Sequence, residues 1–173
     1  MEQKIDRSVF RDLSYGLYLV TSADEGRLNG QVINTLIQVT SDPPRVAVII
    51  NKKNFTHGLI LKSKVFSASV LDQSTPMTFL GPFGFKSGRD IDKLSKVAFK
   101  KGITGCPLII EHAISVLEAK VVDQVDLGSH TVFIGDVVSS EILKQGTPIT
   151  YQYYHQVLKG KSPPNAPTYE AKK

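Results

Sequence analysis

Three polar clusters in this chain have the residue types and spacing to grip a ligand. The first lies in residues 26–44, a Gly-Arg-Leu-Asn-Gly turn followed by a β-rich segment that stops at Pro43-Pro44. Ordinary half-buried strands alternate cleanly between apolar and polar. Here Asn34, Thr35, Gln38, Thr40 and Ser41 crowd the far end instead. Backbone and side-chain donors there suit the edge of a planar, hydrogen-bonding cofactor, and two prolines that cannot continue a ladder open that end onto a rim. The second cluster is Asn51-Lys52-Lys53-Asn54-Phe55-Thr56-His57, leading into a short helix with Asn54 as N-cap. A helix start leaves N–H groups free and carries positive partial charge, so Thr56 and the two lysines make an anion site. In the third, residues 86–94, a flexible turn carries Ser87, Arg89 and Lys93, a second jaw for a phosphate. Each cluster also has a plain reading: a strand with polar ends, a capped helix with solvated lysines, and an exposed loop held by local ion pairs.

What is missing narrows the chemistry. The chain has no Gly-x-Gly-x-x-Gly fingerprint, no P-loop, no His-Glu-x-x-His, no Cys-x-x-Cys and no Gly-x-Ser-x-Gly elbow. Its one cysteine, Cys106, excludes an internal disulfide and an all-cysteine metal cluster, and reads as a small packing residue. With neither a nucleophile–base pair nor a metal set, reactivity falls to a bound cofactor. His130, at the edge of the turn 126–130, is either a group reaching that ligand or a solvent-facing turn histidine.

The elements that must position these clusters are mostly short strands. Residues 8–13 read as a helix, 15–22 as a strand, 23–26 as a hairpin connection and 26–44 as the return strand. The β-branched run 45–50 is a buried strand, and 65–71 is another. A helix opens at Ser74-Thr75-Pro76, with proline at its first position, and ends near Gly81-Pro82-Phe83-Gly84-Phe85, too rich in glycine and proline to be helical. Residues 103–110 form a turn and a short strand. Residues 112–125 and 131–143 are long alternating strands joined by a hairpin turn. Residues 149–158 read as a short helix, and the proline-rich remainder is extended. Three tyrosines in four residues, Tyr151, Tyr153 and Tyr154, imply that this tail lies across a surface, its own or a partner's. Many short strands with few helices between them predict a mostly β fold, an antiparallel barrel with short flanking helices.

A length of 173 residues suits one domain over residues 1–173, with an extended C-terminal tail from about 150. With 41% hydrophobic and 21% charged residues the composition is that of a globular protein. The N-terminus lacks the apolar core of a secretory signal and no apolar run can span a bilayer, so a cytoplasmic protein without membrane association is expected. The net charge of +5 implies anionic company. Six basic residues between Lys86 and Lys101 alternate with Asp90 and Asp92, a patch rather than a polybasic arm. No nucleic-acid motif accompanies it, so nucleic acid is not an expected partner.

Taken in order, Tyr15-Gly16-Leu17-Tyr18-Leu19-Val20-Thr21-Ser22, Asn34-Thr35-x-x-Gln38-Val39-Thr40-Ser41 and Asn51-Lys52-x-Asn54-x-Thr56-His57 resemble the flavin reductase-like family of FMN-binding split β-barrel proteins. Residues 83–93, 128–135 and Tyr151-x-x-Tyr154-His155 continue the likeness, which covers essentially the whole chain. The nearest branch is that of flavoredoxins, archaeal ferric reductases and the flavoprotein domain of high-molecular-weight rubredoxins. The resemblance implies a Greek-key-like split barrel and a homodimer with one FMN per subunit. Asn34, Thr35, Gln38, Val39, Thr40 and Ser41 would then run along the isoalloxazine edge, with Asn29 close by. Asn51, Lys52, Thr56 and Lys93, helped by Ser87 and Arg89, would hold the phosphate. His130 would lie beside the ring as a proton donor, and Tyr154 or Tyr169 would cover it. No metal site is implied. The activity implied is electron transfer from NADH or NADPH through flavin N5 to a ferric chelate, free flavin or a redox protein. The alternative is an electron-transfer protein reduced by a protein partner.

Overall fold

A computed structural model of the chain describes residues 5–169. A 3-10 helix at Arg7–Arg11 precedes nine strands: β1 (Tyr18–Asp24), β2 (Arg27–Ile33), β3 (Leu36–Ser41), β4 (Pro44–Asn51), β5 (Val65–Leu71), β6 (Phe99–Lys101), β7 (Pro107–Ile109), β8 (Ala113–Asp126) and β9 (His130–Ile142). Three helices join them: α1 (Phe55–Ser63) and α2 (Met77–Phe85) on either side of β5, and α3 (Tyr151–Gln156) after β9. Seven strands form one antiparallel sheet in the order β2-β1-β5-β8-β9-β4-β3, while β6 and β7 pair separately.

The sheet is not a closed barrel, which corrects the fold expected from the sequence. β2 and β3 end it, and no ladder joins them. The sheet nevertheless curls, because Val20 of β1, Ile33 of β2, Phe66 of β5, Phe133 of β9 and Val46, Val48 and Ile50 of β4 share one core. Closure fails because the space beside β2 is taken by other parts of the chain. Asn29 of β2 bonds to Thr56 of α1, and the Lys93 ammonium reaches the carbonyl of Gly30. The opening left between β2 and β4 is where the cleft described below lies.

Residues 26–44 are therefore two strands rather than one. The break falls at Asn34-Thr35, and Thr35 caps the neighbouring ladder by donating from its hydroxyl to Ile49 O (2.9 Å). The two prolines make a tight hairpin rather than an open rim. Pro44 pairs with Ser41 as the first residue of β4, a position where a missing N–H is tolerated. The N-terminal helix is a 3-10 turn, set at Arg7–Arg11 by Asp6, which accepts from Ser8 N.

α2 is the other departure. It runs through Gly81-Pro82-Phe83-Gly84-Phe85, with Pro82 inside the helix. Local propensity loses here to burial. Phe79, Leu80 and Phe83 are all buried in a second core with Leu17, Leu71, Ile109 and Tyr154. Fully burying a side chain of that size contributes roughly 1.5–3 kcal/mol, and three of them outweigh the ~3 kcal/mol that an interior proline costs. The polar residues of β1 and β5 are explained by the β6–β7 hairpin on their outer face. Thr21 and Ser67 donate to Pro107 O (2.6 and 2.9 Å) and Ser69 donates to Ile109 O (2.9 Å). Cys106, just before β7 in the turn of this hairpin, is wholly buried, and burial pushes its thiol pKa up. Among the described residues no helix is long and apolar enough to cross a membrane.

Candidate functional site

A cleft of about 400 Å³ opens beside β2, within the usual size range of small-molecule sites. Its floor comes from β2 and the break after it: Asn29, Gln31, Val32, Ile33, Asn34 and Thr35. One wall is the start of α1 together with residues 83–89 and Lys93, and the other is the C-terminal tail with Tyr151 and Tyr154. Lys53, Lys86, Arg89, Lys93 and Lys161 line it, and among the described residues no aspartate or glutamate does. A carboxylate-free, cation-lined cleft selects an anion.

Lys93 is the sharpest of these charges. It is 8% exposed, and its Nζ donates only to carbonyls, Gly30 O at 3.1 Å and Phe83 O at 3.5 Å. Among the described residues no carboxylate lies within ion-pair reach of it. Burial lowers its pKa from 10.5 to about 8. A buried ammonium without a counter-charge is costly, and a bound anion would relieve that cost.

The start of α1 points the same way. Asn54 occupies the N-cap position in extended geometry (φ −74°, ψ 139°), yet its side chain does not cap the helix. Its Oδ1 accepts instead from Asn165 Nδ2 (3.1 Å), so the positive end of α1 faces the cleft. The loop after α2 packs against this end. Arg89 donates to Lys53 O (3.0 Å) and lies 5.3 Å from the Phe55 ring centroid, a cation–π distance. Ser87 Oγ accepts from Arg89 N (3.1 Å) and shapes the turn. Gly88 is pressed so closely on Asn29 that a Cβ there would lie 2.0 Å from Asn29 Oδ1. Asn29 in turn donates to the buried Thr56 hydroxyl (2.8 Å).

The residues singled out from the sequence divide by position. Asn29, Asn34, Thr35, Asn51, Ser87, Arg89, Lys93 and Tyr154 line the cleft. Thr56 stands just behind it, holding Asn29. Gln38, Val39, Thr40 and Ser41 are exposed on the edge strand β3, beyond the lip. Lys52 is turned away. It continues the pairing with β9 through Lys52 N to Ser129 O (3.0 Å), and its ammonium holds Asp126 (2.6 Å). Lys53 faces the cleft in its place, because Asn51 Oδ1 accepts from Lys53 N and tightens the turn (2.9 Å). His130 lies outside the lining. Its Nε2 donates to Asn165 O (3.4 Å), which leaves Nδ1 to accept from the Ser129 hydroxyl (2.9 Å). Tyr169 is 41% exposed in a second, larger hollow of about 1240 Å³ with Phe10, Tyr15 and His155.

Other lining residues did not stand out in the sequence. Gln31, Phe83, Phe85 and the tail prolines Pro163, Pro164 and Pro167 all line the cleft. The tyrosine-rich, proline-rich end signalled that the tail lies on a surface, and that surface is the chain's own cleft. Close by, His57 is buried against Phe133 with Nε2 hydrogen-bonded to the Thr131 hydroxyl (2.8 Å). Burial, and then the charge of Lys52, lowers its pKa, so it is a neutral packing residue.

Comparison with known proteins places this geometry. The description "flavin reductase like domain" matches residues 10–160. The chain is 46% identical over 165 residues to a ferric-chelate reductase (NAD(P)H) of Archaeoglobus fulgidus, covering 95% of this chain and 98% of that protein. It is equally identical, over 95% of this chain and 72% of the other, to a high molecular weight rubredoxin of Moorella thermoacetica. Among solved structures, an FMN-binding protein from Thermus thermophilus with bound p-hydroxybenzaldehyde superposes with a TM-score of 0.73 at 29% identity, covering 83% of this chain and 80% of that one.

Proposed function

This chain belongs to the flavin reductase-like domain family, and on that premise we propose that its cleft holds FMN and that the protein is an oxidoreductase using NADH or NADPH. The observation that carries this reading is the union, in one cleft, of a carboxylate-free cationic end with apolar walls and an amide-rich floor. A flavin mononucleotide presents the matching parts: a phosphate, a flat ring and a ring edge with donors and acceptors.

Ser87, Arg89, Lys93 and the first turn of α1 hold the phosphate, with Asn51 beside them and Thr56 fixing Asn29. Lys53, which faces the cleft where the Asp126-paired Lys52 does not, adds positive charge. Asn34 and Thr35 meet the ring edge, and Gln38, Val39, Thr40 and Ser41 extend that contact past the lip of the cleft along β3. Donors aimed at this edge stabilise negative charge developing on the ring by preorganised electrostatics. Of the two tyrosines, Tyr154 lines the cleft and shields the ring from water, whereas Tyr169 stands in the second hollow. His130, next to Asn165 in the strap formed by tail residues 161–168, orients or protonates what approaches. When bound, FMN would supply the redox chemistry that relays electrons from NADH or NADPH to a ferric chelate, free flavin or a redox protein. The relative named a ferric-chelate reductase (NAD(P)H) supports this choice of reductant and acceptor.

The assembly is a homodimer. β3 leaves Ile37 (59% exposed) and Val39 uncovered beside the cleft, and the β8–β9 hairpin leaves Val122, Val125 and Leu127 uncovered. Apolar surface of this kind, on β3 and on the β8–β9 hairpin with β4 between them, fits a second copy. An electron-transfer role with a protein donor is the second reading. It is favoured by the net charge of +5 and by the likeness to a longer protein named as a rubredoxin.

Anaerobic mixing of the FMN-loaded protein with NADH or NADPH tests the first reading. The oxidised-flavin absorption band bleaches within seconds if it holds. No bleaching over minutes rejects it. Reduction that instead requires a small acidic redox protein, and weakens steeply with salt, supports the second.

A further inference from the structure

The tail that forms one wall of the cleft has an unusual attachment. Residues 161–168 read Lys-Ser-Pro-Pro-Asn-Ala-Pro-Thr. Three prolines in eight residues remove donors and fix φ, so this segment cannot join the sheet or continue α3. It is held by side chains instead. The Tyr151 hydroxyl is hydrogen-bonded to Ser162 Oγ and, at 2.7 Å, to Thr168 Oγ1, so one oxygen gathers both ends of the loop. Asn34 donates to the same Thr168 hydroxyl (3.2 Å). In the middle, Asn165 clasps Asn54 at the start of α1 and its carbonyl accepts from His130. At the near end Tyr154 donates to Lys161 O (2.9 Å), and Gly160 lies flat on the Tyr154 ring, where a Cβ would come within 2.1 Å.

We infer that residues 161–168 are the gate of the cleft and that Tyr151 is the positioning residue that sets how often it opens. This rests on the reading above for the identity of the ligand. The wall across the cleft is poorly suited to move, since Gly88 is wedged on Asn29, Arg89 is braced by Lys53 and Phe55, and Lys93 is buried. The strap has no comparable anchor in the core. A few neutral hydrogen bonds, each of modest net worth, separate its closed and lifted states. Its prolines limit what the lifted segment gains in freedom, which favours return to the closed state. Because the strap is fastened to Asn34 at its far end and to Asn54 at its middle, a ligand seated between them enters and leaves only when it lifts. Weakening the strap must therefore speed entry and exit together. A residue with a purely structural role would change stability or affinity without accelerating entry.

The test is stopped-flow binding of FMN, read by flavin fluorescence, to the wild-type protein, Tyr151→Phe and Asn165→Ala. Phenylalanine keeps the ring among Tyr15, Tyr154 and His155 and removes only the oxygen. Entry and exit rates are both expected to rise, by about tenfold for Tyr151→Phe if a hydrogen bond's usual worth is lost. The dissociation constant is expected to move by less than the rates, and the unfolding midpoint to fall slightly, because the closed strap belongs to the folded state. Trypsin cleavage after Lys159 and Lys161 in the ligand-free protein provides a readout that does not involve flavin, and both variants should be cut faster than wild type. Unchanged entry rates together with unchanged cleavage in both variants overturn the gate. Failure of the wild-type protein to bind FMN overturns the cofactor instead, and the cleavage rates then decide the gate alone.

Discussion

The wall of residues 83–93 and the wall formed by the strap face each other across one cleft, yet different forces hold them. The first is keyed into the core. Phe83 and Lys93 are buried, and Gly88 touches Asn29 with no room for a methyl group. The second is fastened by hydroxyls and amides on side chains, and its backbone joins no sheet. Rigidity thus sits where charge must be placed accurately, and looseness sits where a ligand must pass. Preorganised charge in a fixed site does not have to reorganise when the ligand arrives, which is the condition under which it is most effective.

The largest break in this contrast is Lys93→Met. Losing a charge-assisted contact worth roughly 1.5–3 kcal/mol should weaken FMN binding by about ten- to hundredfold in equilibrium titration. The same change should stabilise the ligand-free fold in chemical denaturation, by about 1–3 kcal/mol, because it removes an unpaired buried ammonium. A variant that weakened both would mean that Lys93 is structural. Next comes Gly88→Ala, whose added carbon must displace Asn29. Overpacking of this kind costs about 1–3 kcal/mol, so a lower unfolding midpoint and several-fold weaker binding are expected.

pH sharpens the comparison more gently. The folded chain releases the Lys93 proton near pH 8, whereas the unfolded chain holds it to about 10.5. The unfolded state therefore binds more protons across that interval, and the stability of the ligand-free protein from this group rises with pH between those values. FMN affinity should fall over the same interval as the ammonium is lost. Lys93→Met should flatten both trends. The smallest expected effect belongs to the strap: Pro164→Ala restores backbone freedom worth ~0.4–1 kcal/mol and should alter equilibrium affinity by no more than about fivefold.

The sequence made the strands and the polar clusters around the cleft legible because those signals are local. β-branched runs, an N-cap asparagine before Phe55, and Ser87, Arg89 and Lys93 in one short loop need no knowledge of the rest of the chain. What escaped were outcomes set by distant packing. α2 runs through Pro82 because Phe79, Leu80 and Phe83 have a core to fill. The barrel stays open because α1 and the Lys93 loop occupy the flank of β2. Lys52 and Lys53 look alike as neighbours, but pairing of Lys52 N with Ser129 sends one side chain to Asp126 and the other to the cleft. The tail's surface-lying character was readable from its tyrosines and prolines. Its target was not, because that depends on single hydroxyls and amides meeting across more than a hundred residues, as Asn165 and Asn54 do.

The central claim is that this cleft recognises a flavin by its phosphate at the carboxylate-free end. Paired titrations of the wild-type protein with FMN and with riboflavin, which differ only in that group, test it directly. The account predicts that FMN binds at least about tenfold more tightly and that added salt narrows the gap. Equal affinities for the two, or no binding of either, would contradict it.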